Sequence, residues 1–279
     1  MKLKFTKMQG CGNDYIYIDC FEQNISEPED LAVKLSDRHF GVGGDGVILI
    51  CPSDKADCKM RMFNLDGSEG NMCGNGIRCV GRYMYEKRGL HKERMTVETK
   101  SGIKELIITA DKGLVSLVTV NMGDPIFECE RIPVVSDKKQ MIDEEIVVNN
   151  TVYKTTCVSV GNPHCVIFCD DVESIDVLSI GSDIGKSGMF SEGVNVEFVS
   201  MVGENSLKMR VCERGSGETL ACGTGACACV AAAVKLKRVA KNKEIKVELL
   251  GGELYIKYTD DGIMMTGKAE FVFDGEVDV

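Results

Sequence analysis

The sequence repeats itself at a single offset. The stretch "CGNG" at 73–76 recurs as "CGTG" at 222–225, which lies 149 residues further along the chain. The same offset, without gaps, relates "KMR" at 59–61 and 208–210, "GND" at 12–14 and "GNP" at 161–163, Glu69 and Glu218, and Gly46 and Asn195. Self-similarity at a fixed spacing indicates an internal duplication. We therefore predict two domains of similar fold.

Hydrophobic periodicity assigns similar elements to the two halves. Helices are predicted at 28–38, with Pro28 in the first turn, at 74–88, ending before Gly89, and at 223–238. Apolar runs and alternation predict strands near 2–8, 14–19, 46–51, 59–63, 95–99, 103–109 and 114–121, and near 152–160, 164–168, 195–200, 206–212, 245–250, 253–258 and 269–273.

The predicted domains follow from the order of these elements. The segment 121–150 is polar and contains proline, which is typical of a domain connection. One more strand pattern follows after the second half is complete, so we expect it to return to the first domain. The prediction is an N-terminal domain of residues 1–120 with 267–279 returning to it, and a C-terminal domain of residues 121–266.

The charge balance and the cysteine content restrict the partners and the compartment. The chain carries 43 acidic and 33 basic residues, a net charge of −10, and an acidic surface repels nucleic acid. No apolar run reaches the length of about 18 residues that predicts a membrane span, and "MKLKFTKMQG" is typical of a strand rather than of a signal peptide. Fourteen cysteines in a chain of this kind indicate thiols in a reducing cytoplasm.

Each copy of the CGxG motif places a thiol where a helix is predicted to begin. The first amides of a helix have no partner within it, and the aligned peptide dipoles add partial positive charge there. We expect this charge to lower the pKa of the thiol, and the neighbouring glycines to let a carboxylate approach the free amides. Two such half-sites facing one ligand would suit the inversion of a stereocentre, with one thiolate removing an α-proton and the opposite thiol delivering another. This chemistry requires no metal and no organic cofactor.

The longer motifs resemble those of the diaminopimelate epimerase family. They are "MQGCGNDYIYID", "FGVGGDGVILI", "MRMFNLDGSEGNMCGNGIRC", "GNPHCVIF", "GVNVEFV" and "CERGSGETLACGTGA", and together they extend over nearly the whole chain. The resemblance implies interconversion of L,L- and meso-diaminopimelate in the synthesis of lysine and peptidoglycan precursors. It also implies a mixed α/β fold of two pseudo-symmetric domains, each a mixed β-sheet wrapped around a central helix, and a homodimer.

The resemblance also implies roles for individual residues. Cys73 and Cys222 match the catalytic pair, and His164 is hypothesised to act on a thiolate electrostatically. The expected substrate-binding residues are the backbone amides of Gly74, Asn75, Gly223 and Thr224 for the reacting carboxylate, Asn13 and Glu213 for the α-ammonium group, and Asn64, Asn162, Asn195 and Arg214 for the distal amino-acid end. A planar guanidinium such as that of Arg214 can pair with a carboxylate in a fixed geometry.

One position departs from the family pattern. Some members carry glutamine where this chain has Gly46, and that glutamine contacts the amine of the substrate. Glycine supplies no side chain, so we expect no direct ligand role for Gly46.

Other functions stay open at this point. A proline or hydroxyproline racemase would act on a substrate without a charged distal end, against which Glu213 and Arg214 argue, and a phenazine-type isomerase lacks the pair of thiols. A redox sensor or an amino-acid binding protein would use reactive thiols without proton transfer. The pattern "GVGGDG" at 41–46 has a helix before it and a strand after it, the wrong order for a dinucleotide loop. Zinc is not expected, because the cysteines form no CxxC pair.

Overall fold

The computed structural model describes residues 2–279 and divides into two compact units. Unit 1 comprises Met1–Asn121 and Thr266–Val279, and unit 2 comprises Met122–Met265. The predicted domain limits, 120 and 266, lie next to these divisions. Both units are mixed α/β structures with one large sheet and few helices, as the sequence predicted.

Unit 1 contains two helices and nine strands. They are β1 Lys2–Gly10, β2 Asn13–Asp19, α1 Pro28–Ser36, β3 Gly46–Cys51, β4 Cys58–Asn64, β5 Glu69–Gly70, α2 Gly74–Glu86, β6 Arg94–Thr99, β7 Gly102–Asp111, β8 Leu114–Asn121 and the last strand of the chain, Glu270–Asp278. Along the sheet the last strand pairs with β1, followed by β2, β3, β4, β6, β7 and β8. The pairs β2–β3 and β4–β6 are parallel, and the others in this series are antiparallel.

Unit 2 repeats this order. Its elements are β9 Glu144–Val148, β10 Thr151–Ser159, β11 Pro163–Phe168, α3 Val177–Gly185, β12 Asn195–Gly203, β13 Ser206–Glu213, β14 Gly217–Glu218, α4 Gly223–Lys235, β15 Glu244–Leu249 and β16 Gly252–Thr259. A further strand, β17 Gly262–Gly267, contains the division between the units, and the last strand, Glu270–Asp278, is therefore β18. The sheet order is β9, β10, β11, β12, β13, β15 and β16, with β11–β12 and β13–β15 parallel.

The repeat at 149 residues holds in three dimensions. The helices α2 and α4 begin and end at equivalent positions, and so do α1 and α3. Helix α3 was missed in the sequence analysis, although the offset applied to α1 gives its bounds. In unit 1, β18 pairs with β1 in the place that β9 takes beside β10 in unit 2, so the last strand of the chain belongs to the first unit.

Each unit wraps its sheet around one helix. Helix α2 packs against β1, β2, β7 and β8, and α4 packs against β10, β11, β12, β13 and β16. A helix that is apolar on all sides must be buried, and α4 is of this kind, whereas α2 buries most of its residues but also carries charged ones. Ala231, Ala232 and Ala233 of α4 are fully buried, as are Ile77 and Val80 of α2. Small side chains let the strands approach the helix from several sides at close range.

The C-terminal segment is fastened to α2 by two arginines. Arg78, which is fully buried, donates its Nε hydrogen to the Lys268 carbonyl at 3.2 Å. Arg82 pairs with the Glu270 carboxylate at 2.9 Å and with Glu86 one turn along the helix at 3.0 Å. These contacts join the returning segment to the central helix of unit 1. Within residues 2–279, no helix is long and apolar enough to cross a membrane.

The packing around α2 predicts a strong dependence on Gly81. A Cβ at this position would lie 2.7 Å from Leu106 and 3.2 Å from Ile108. Because overpacking forces neighbouring side chains and backbone to shift, we expect Gly81→Leu to lower the free energy of unfolding by about 1–3 kcal/mol in urea denaturation. Gly185→Leu, at the end of α3 with open space around its Cβ, is the matched control and should change it little. Equal stabilities of the two variants would contradict the central-helix packing.

Candidate active site

Cys73 forms the N-cap of α2. Its backbone is extended, with φ −123° and ψ 120°, and its sulfur accepts a hydrogen bond from the Gly76 amide at 3.3 Å. The first α-helical bond runs from the Ile77 amide to the Cys73 carbonyl at 2.9 Å. The amides of Gly74 and Asn75 come before that bond, in the first turn of the helix. The predicted thiol at a helix start is confirmed for this unit.

Asn13 stands between Cys73 and a carboxylate. The Cys73 thiol donates to Asn13 Oδ1 at 3.3 Å, and Asn13 Nδ2 donates to Asp45 Oδ2 at 2.7 Å. Asp45 Oδ2 also accepts from the Asp14 amide at 3.1 Å. Because an ionised carboxylate only accepts hydrogen bonds, Asp45 fixes the amide of Asn13 with its oxygen toward the thiol.

An ion-pair network holds Asp45 in place. Arg38 donates to Asp45 at 2.9 Å and to Asp14 at 2.7 Å, and Lys7, whose side chain is nearly buried, pairs with Asp14 at 2.6 Å. Burial raises the pKa of Asp14, but the hydrogen bonds from Arg38 and Lys7 outweigh it, so the net pKa is lowered. The Asp14 carboxylate is therefore charged at neutral pH and matched by cations.

The other predicted site residues of unit 1 are Asn75 and Asn64. Asn75, the second residue of α2, is buried, and Asn64 ends β4 and donates from Nδ2 to Ser68 Oγ at 3.0 Å. Tyr15 is also buried here, and its pKa is raised well above 10.0 by burial and by the nearby Cys73 and Asp45. Tyr15 was not among the site residues predicted from the sequence.

Cys222 forms the equivalent N-cap of α4. Its sulfur accepts from the Gly225 amide at 3.3 Å and lies 3.4 Å from the Thr224 hydroxyl. The Ala226 amide makes the first helical bond, to the Cys222 carbonyl at 3.0 Å, so the amides of Gly223 and Thr224 have no acceptor within the helix. The two units therefore cap their central helices in the same way.

The expected lowering of the thiol pKa is wrong for Cys222. Burial raises its pKa well above 9.0, and the carboxylates of Glu213 and Glu197 raise it further. The hydrogen bonds from Thr224 and the Gly225 amide act in the opposite direction and are outweighed. The sequence revealed the helix start but not the burial and the two acids beside it, and these favour the neutral thiol.

His164 belongs to a buried pair with Glu197. Its Nδ1 lies 2.6 Å from Glu197 Oε1, both side chains are fully buried, and its Nε2 lies 2.9 Å from Asn162 Oδ1. Burial raises the pKa of Glu197, and His164 opposes this shift. Glu197 Oε1 and Cys222 Sγ lie within 3.2 Å of the same point, the position that a Cβ on Gly225 would take. The pair therefore packs directly under the first turn of α4.

Two of the residues expected at the distal end, Asn195 and Arg214, contact each other in unit 2. Asn195 Oδ1 accepts from the Arg214 amide at 2.8 Å, and the guanidinium of Arg214 donates to the Glu192 carbonyl at 2.7 Å. Gly193, with φ +73°, lies under this side chain, where a Cβ would be 2.8 Å from Arg214 Cδ. Glu213 ends β13, and its carboxylate accepts from the Thr219 hydroxyl at 2.5 Å.

Two further polar residues near the thiols were missed. Asp45 was treated as part of the turn "GVGGDG", and Glu197 as part of the strand "VEFV". The available signal was a charged residue inside an apolar strand pattern, because Glu197 interrupts the apolar run "VEFV". In contrast, Arg61 and Arg210, the arginines of the repeated KMR motif, pair with Glu69 and Glu218 of their own units, at 2.8 Å and 2.7 Å.

The environment of Gly46 predicts the effect of restoring the glutamine of other family members. A Cβ would lie 2.1 Å from the Phe63 carbonyl oxygen and 2.8 Å from the Tyr15 ring. Because a backbone oxygen cannot move aside as a side chain can, Gly46→Gln should cost about 1–3 kcal/mol of unfolding free energy or more in urea denaturation. Gly113→Gln, at a turn with open space around its Cβ, is the control for adding the same side chain, and a smaller loss at 46 than at 113 would contradict this account.

Comparison with known proteins gives one family. The family model described as "Diaminopimelate epimerase" matches residues 5–128 and 156–272. A diaminopimelate epimerase of Methanococcus maripaludis (strain C5) is 50% identical over 279 residues, covering 99% of this chain and 100% of the relative. One of Acetivibrio thermocellus is 49% identical, covering 99% of each.

Solved structures share the fold at low identity. A hydroxyproline epimerase from Agrobacterium vitis superposes with a TM-score of 0.73 at 12% identity, covering 99% of this chain and 91% of that chain. A Bacillus anthracis phenazine biosynthesis protein of the PhzF family gives a TM-score of 0.73 at 18% identity, covering 100% of both. Because the family model matches most of the chain and a relative is 50% identical over its full length, the chain belongs to the diaminopimelate epimerase family of isomerases.

Proposed function

We propose that this protein interconverts L,L- and meso-diaminopimelate without a cofactor, with one thiol from each unit serving as acid or base. The observation that carries the proposal is the duplicated helix start, in which Cys73 and Cys222 each cap a buried helix and accept the amide of the third residue after them. A reaction that runs in both directions needs two groups that exchange the roles of acid and base, and a pair of like residues meets this need.

The proton inventory of each thiol suits this chemistry. The Cys73 thiol donates a hydrogen bond to Asn13 Oδ1, and burial keeps the proton on Cys222 in the ligand-free state. A protonated thiol is ready to donate to a carbanion. A thiol that must first act as a base needs positive charge nearby, which the α-ammonium group of the substrate supplies when it binds.

The reacting carboxylate is assigned to the two helix starts. The amides of Gly74 and Asn75 in one unit, and of Gly223 and Thr224 in the other, lie in the first turns of their helices. Such amides and the helix dipole favour an anion, and they stabilise the negative charge that moves onto the carboxylate as the α-proton leaves.

The other polar residues are assigned to the two ends of the substrate. The α-ammonium group is bound by Asn13 and Glu213, whose side-chain oxygens accept hydrogen bonds. The distal amino-acid end is recognised by Arg214 together with the three asparagines, Asn64, Asn162 and Asn195. Arg214 provides the charge, because its guanidinium can pair with the distal carboxylate.

The pathway, compartment and oligomeric state are proposed from the resemblance to the family. The product serves lysine and peptidoglycan precursor synthesis, the enzyme is cytoplasmic, and it acts as a homodimer on a small amino acid. The acidic composition supports the absence of a nucleic-acid partner.

Two alternatives remain as outcomes of the test. The first alternative is epimerisation of proline or hydroxyproline. The chain shares its fold with a hydroxyproline epimerase, but at 12% identity this likeness concerns the fold alone. A redox sensor would use the same thiols without releasing an epimerised product. Diaminopimelate, proline and hydroxyproline are therefore offered to the same preparation of reduced protein.

The central prediction concerns the two thiols. Conversion of L,L- to meso-diaminopimelate, followed by chiral chromatography, should fall by about 10²–10⁴-fold or more in each of Cys73→Ala and Cys222→Ala, because each variant lacks one acid–base group. Cys20→Ala and Cys169→Ala, which remove a half-buried thiol from each unit, are the matched controls and should retain activity. Full activity of either test variant, or turnover of proline in place of diaminopimelate, would overturn the proposal.

A further inference from the structure

Equivalent asparagines in the two units make different contacts. Asn13 and Asn162 are related by the offset of 149 residues, and each directs its side-chain oxygen toward a different group. Asn13 Oδ1 accepts from the Cys73 thiol, whereas Asn162 Oδ1 lies 2.9 Å from His164 Nε2. Both units therefore have the asparagine, but different neighbouring residues orient its side-chain amide.

The buried pair in unit 2 replaces apolar and aromatic side chains in unit 1. The positions equivalent to His164 and Glu197 are Tyr15 and Ile48, both buried. A fully buried carboxyl group and a fully buried imidazole cost more free energy than these side chains unless they are well paired. Their presence under the first turn of α4, beside Cys222, indicates a role that packing alone does not require.

The proton count of the pair follows from its burial. The other titratable groups acting on or beside Glu197 are Glu213 and the thiols of Cys165, Cys212, Cys222 and Cys229, none of which is a cation. Glu197 Oε2 has no hydrogen-bond partner within residues 2–279, so a net negative charge would be costly there. The pair is therefore neutral overall, either as carboxylate with imidazolium or as carboxylic acid with imidazole.

Both neutral arrangements place a proton on the same nitrogen. In the first, Nδ1–H donates to Glu197 and Nε2 carries the second proton; in the second, the acid donates to Nδ1 and the imidazole proton is on Nε2. In each case Nε2–H donates to Asn162 Oδ1, which fixes the amide of Asn162 with its NH₂ group turned away from His164.

We propose that Glu197 is a positioning residue: by occupying His164 Nδ1 it makes Nε2 a donor to Asn162, and so leaves the Asn162 NH₂ group to donate to an acceptor oxygen of the ligand. This inference rests on the proposed function, in which Asn162 contacts the distal end of diaminopimelate. In unit 1 the orientation is the opposite: Asp45 binds the NH₂ group of Asn13, which leaves the side-chain oxygen of Asn13 as an acceptor. The two units thus supply one donor and one acceptor from the same duplicated residue.

The ring protonation can be measured without ligand. The chain has three histidines, and His39 and His91 are exposed, so the spectrum of His39→Asn/His91→Asn protein isolates the His164 ring. In a long-range ¹H–¹⁵N correlation spectrum at neutral pH, we expect Nε2 of His164 to carry a proton. An unprotonated Nε2 overturns this inference and leaves the proposed function standing.

Kinetics of Glu197 variants test the consequence for the ligand. Glu197→Leu removes the partner of Nδ1, and KM for diaminopimelate should rise by about tenfold while kcat changes less, because a ligand contact loses its fixed orientation. Glu197→Gln should restore KM, since its amide can donate to Nδ1 and keep the proton on Nε2. A KM for Glu197→Leu equal to that of the wild type contradicts the inference, as does a Gln variant as impaired as the Leu variant.

A double variant separates this role from folding. His164→Tyr/Glu197→Ile gives unit 2 the side chains that unit 1 accommodates at the equivalent positions, so it should fold. We expect thermal unfolding close to that of the wild type together with a raised KM. A folded double variant with wild-type KM overturns the inference. Wild-type protein that does not epimerise diaminopimelate overturns the proposed function instead, whatever the ring protonation.

Discussion

The hydrogen bond from a helix amide to a cysteine sulfur is the interaction on which both units depend. In each unit the thiol accepts the amide of the third residue after it, at 3.3 Å, and thereby ends the preceding extended segment and begins the helix. That helix is the centre around which the sheet of the unit wraps. The same atom that starts the helix is the atom proposed to move protons. The position of the cysteine sulfur therefore matters both for the start of the helix and for the proposed proton transfer. Glycines follow the cysteine because only small residues leave room for both the sheet and a ligand at that end of the helix.

Duplication gave the two units one framework but not one environment. Unit 1 surrounds its thiol with Asn13, a carboxylate network bound to Arg38, and the phenol of Tyr15. Unit 2 places Thr224, Glu213 and the buried pair of His164 and Glu197 beside its thiol. The proposed reaction must treat both faces of one carbon alike while distinguishing one end of the substrate from the other, and two identical thiol environments would not meet both requirements. The differences lie in the side chains around the caps and not in the caps themselves.

Much of this arrangement could be predicted from the sequence because it depends on local signals. The offset of 149 residues gave the two similar units, and the CGxG motifs gave the starts of α2 and α4 to the residue. Helix α3 was missed because "VLSIGSDIG" contains two glycines and a serine pair that weaken its helical pattern, and its stability comes from packing against β12 and β13. The raised pKa of Cys222 could not be predicted, because the thiol is buried, and approached by Glu213 and Glu197, only in the folded unit. The orientations of the Asn13 and Asn162 side-chain amides likewise depend on Asp45 and on Glu197, each more than 30 residues further along the chain.

The most direct test of the two-thiol account is the fate of solvent deuterium at early conversion. L,L-diaminopimelate is incubated with reduced protein in deuterium oxide, and substrate and product are separated and analysed by mass spectrometry before equilibrium. If one thiol removes the proton and the other delivers a different one, the meso product carries deuterium at the inverted carbon while the recovered substrate carries none. Deuterium appearing equally in the recovered substrate and in the product would mean that a single group serves both faces, and would contradict the account.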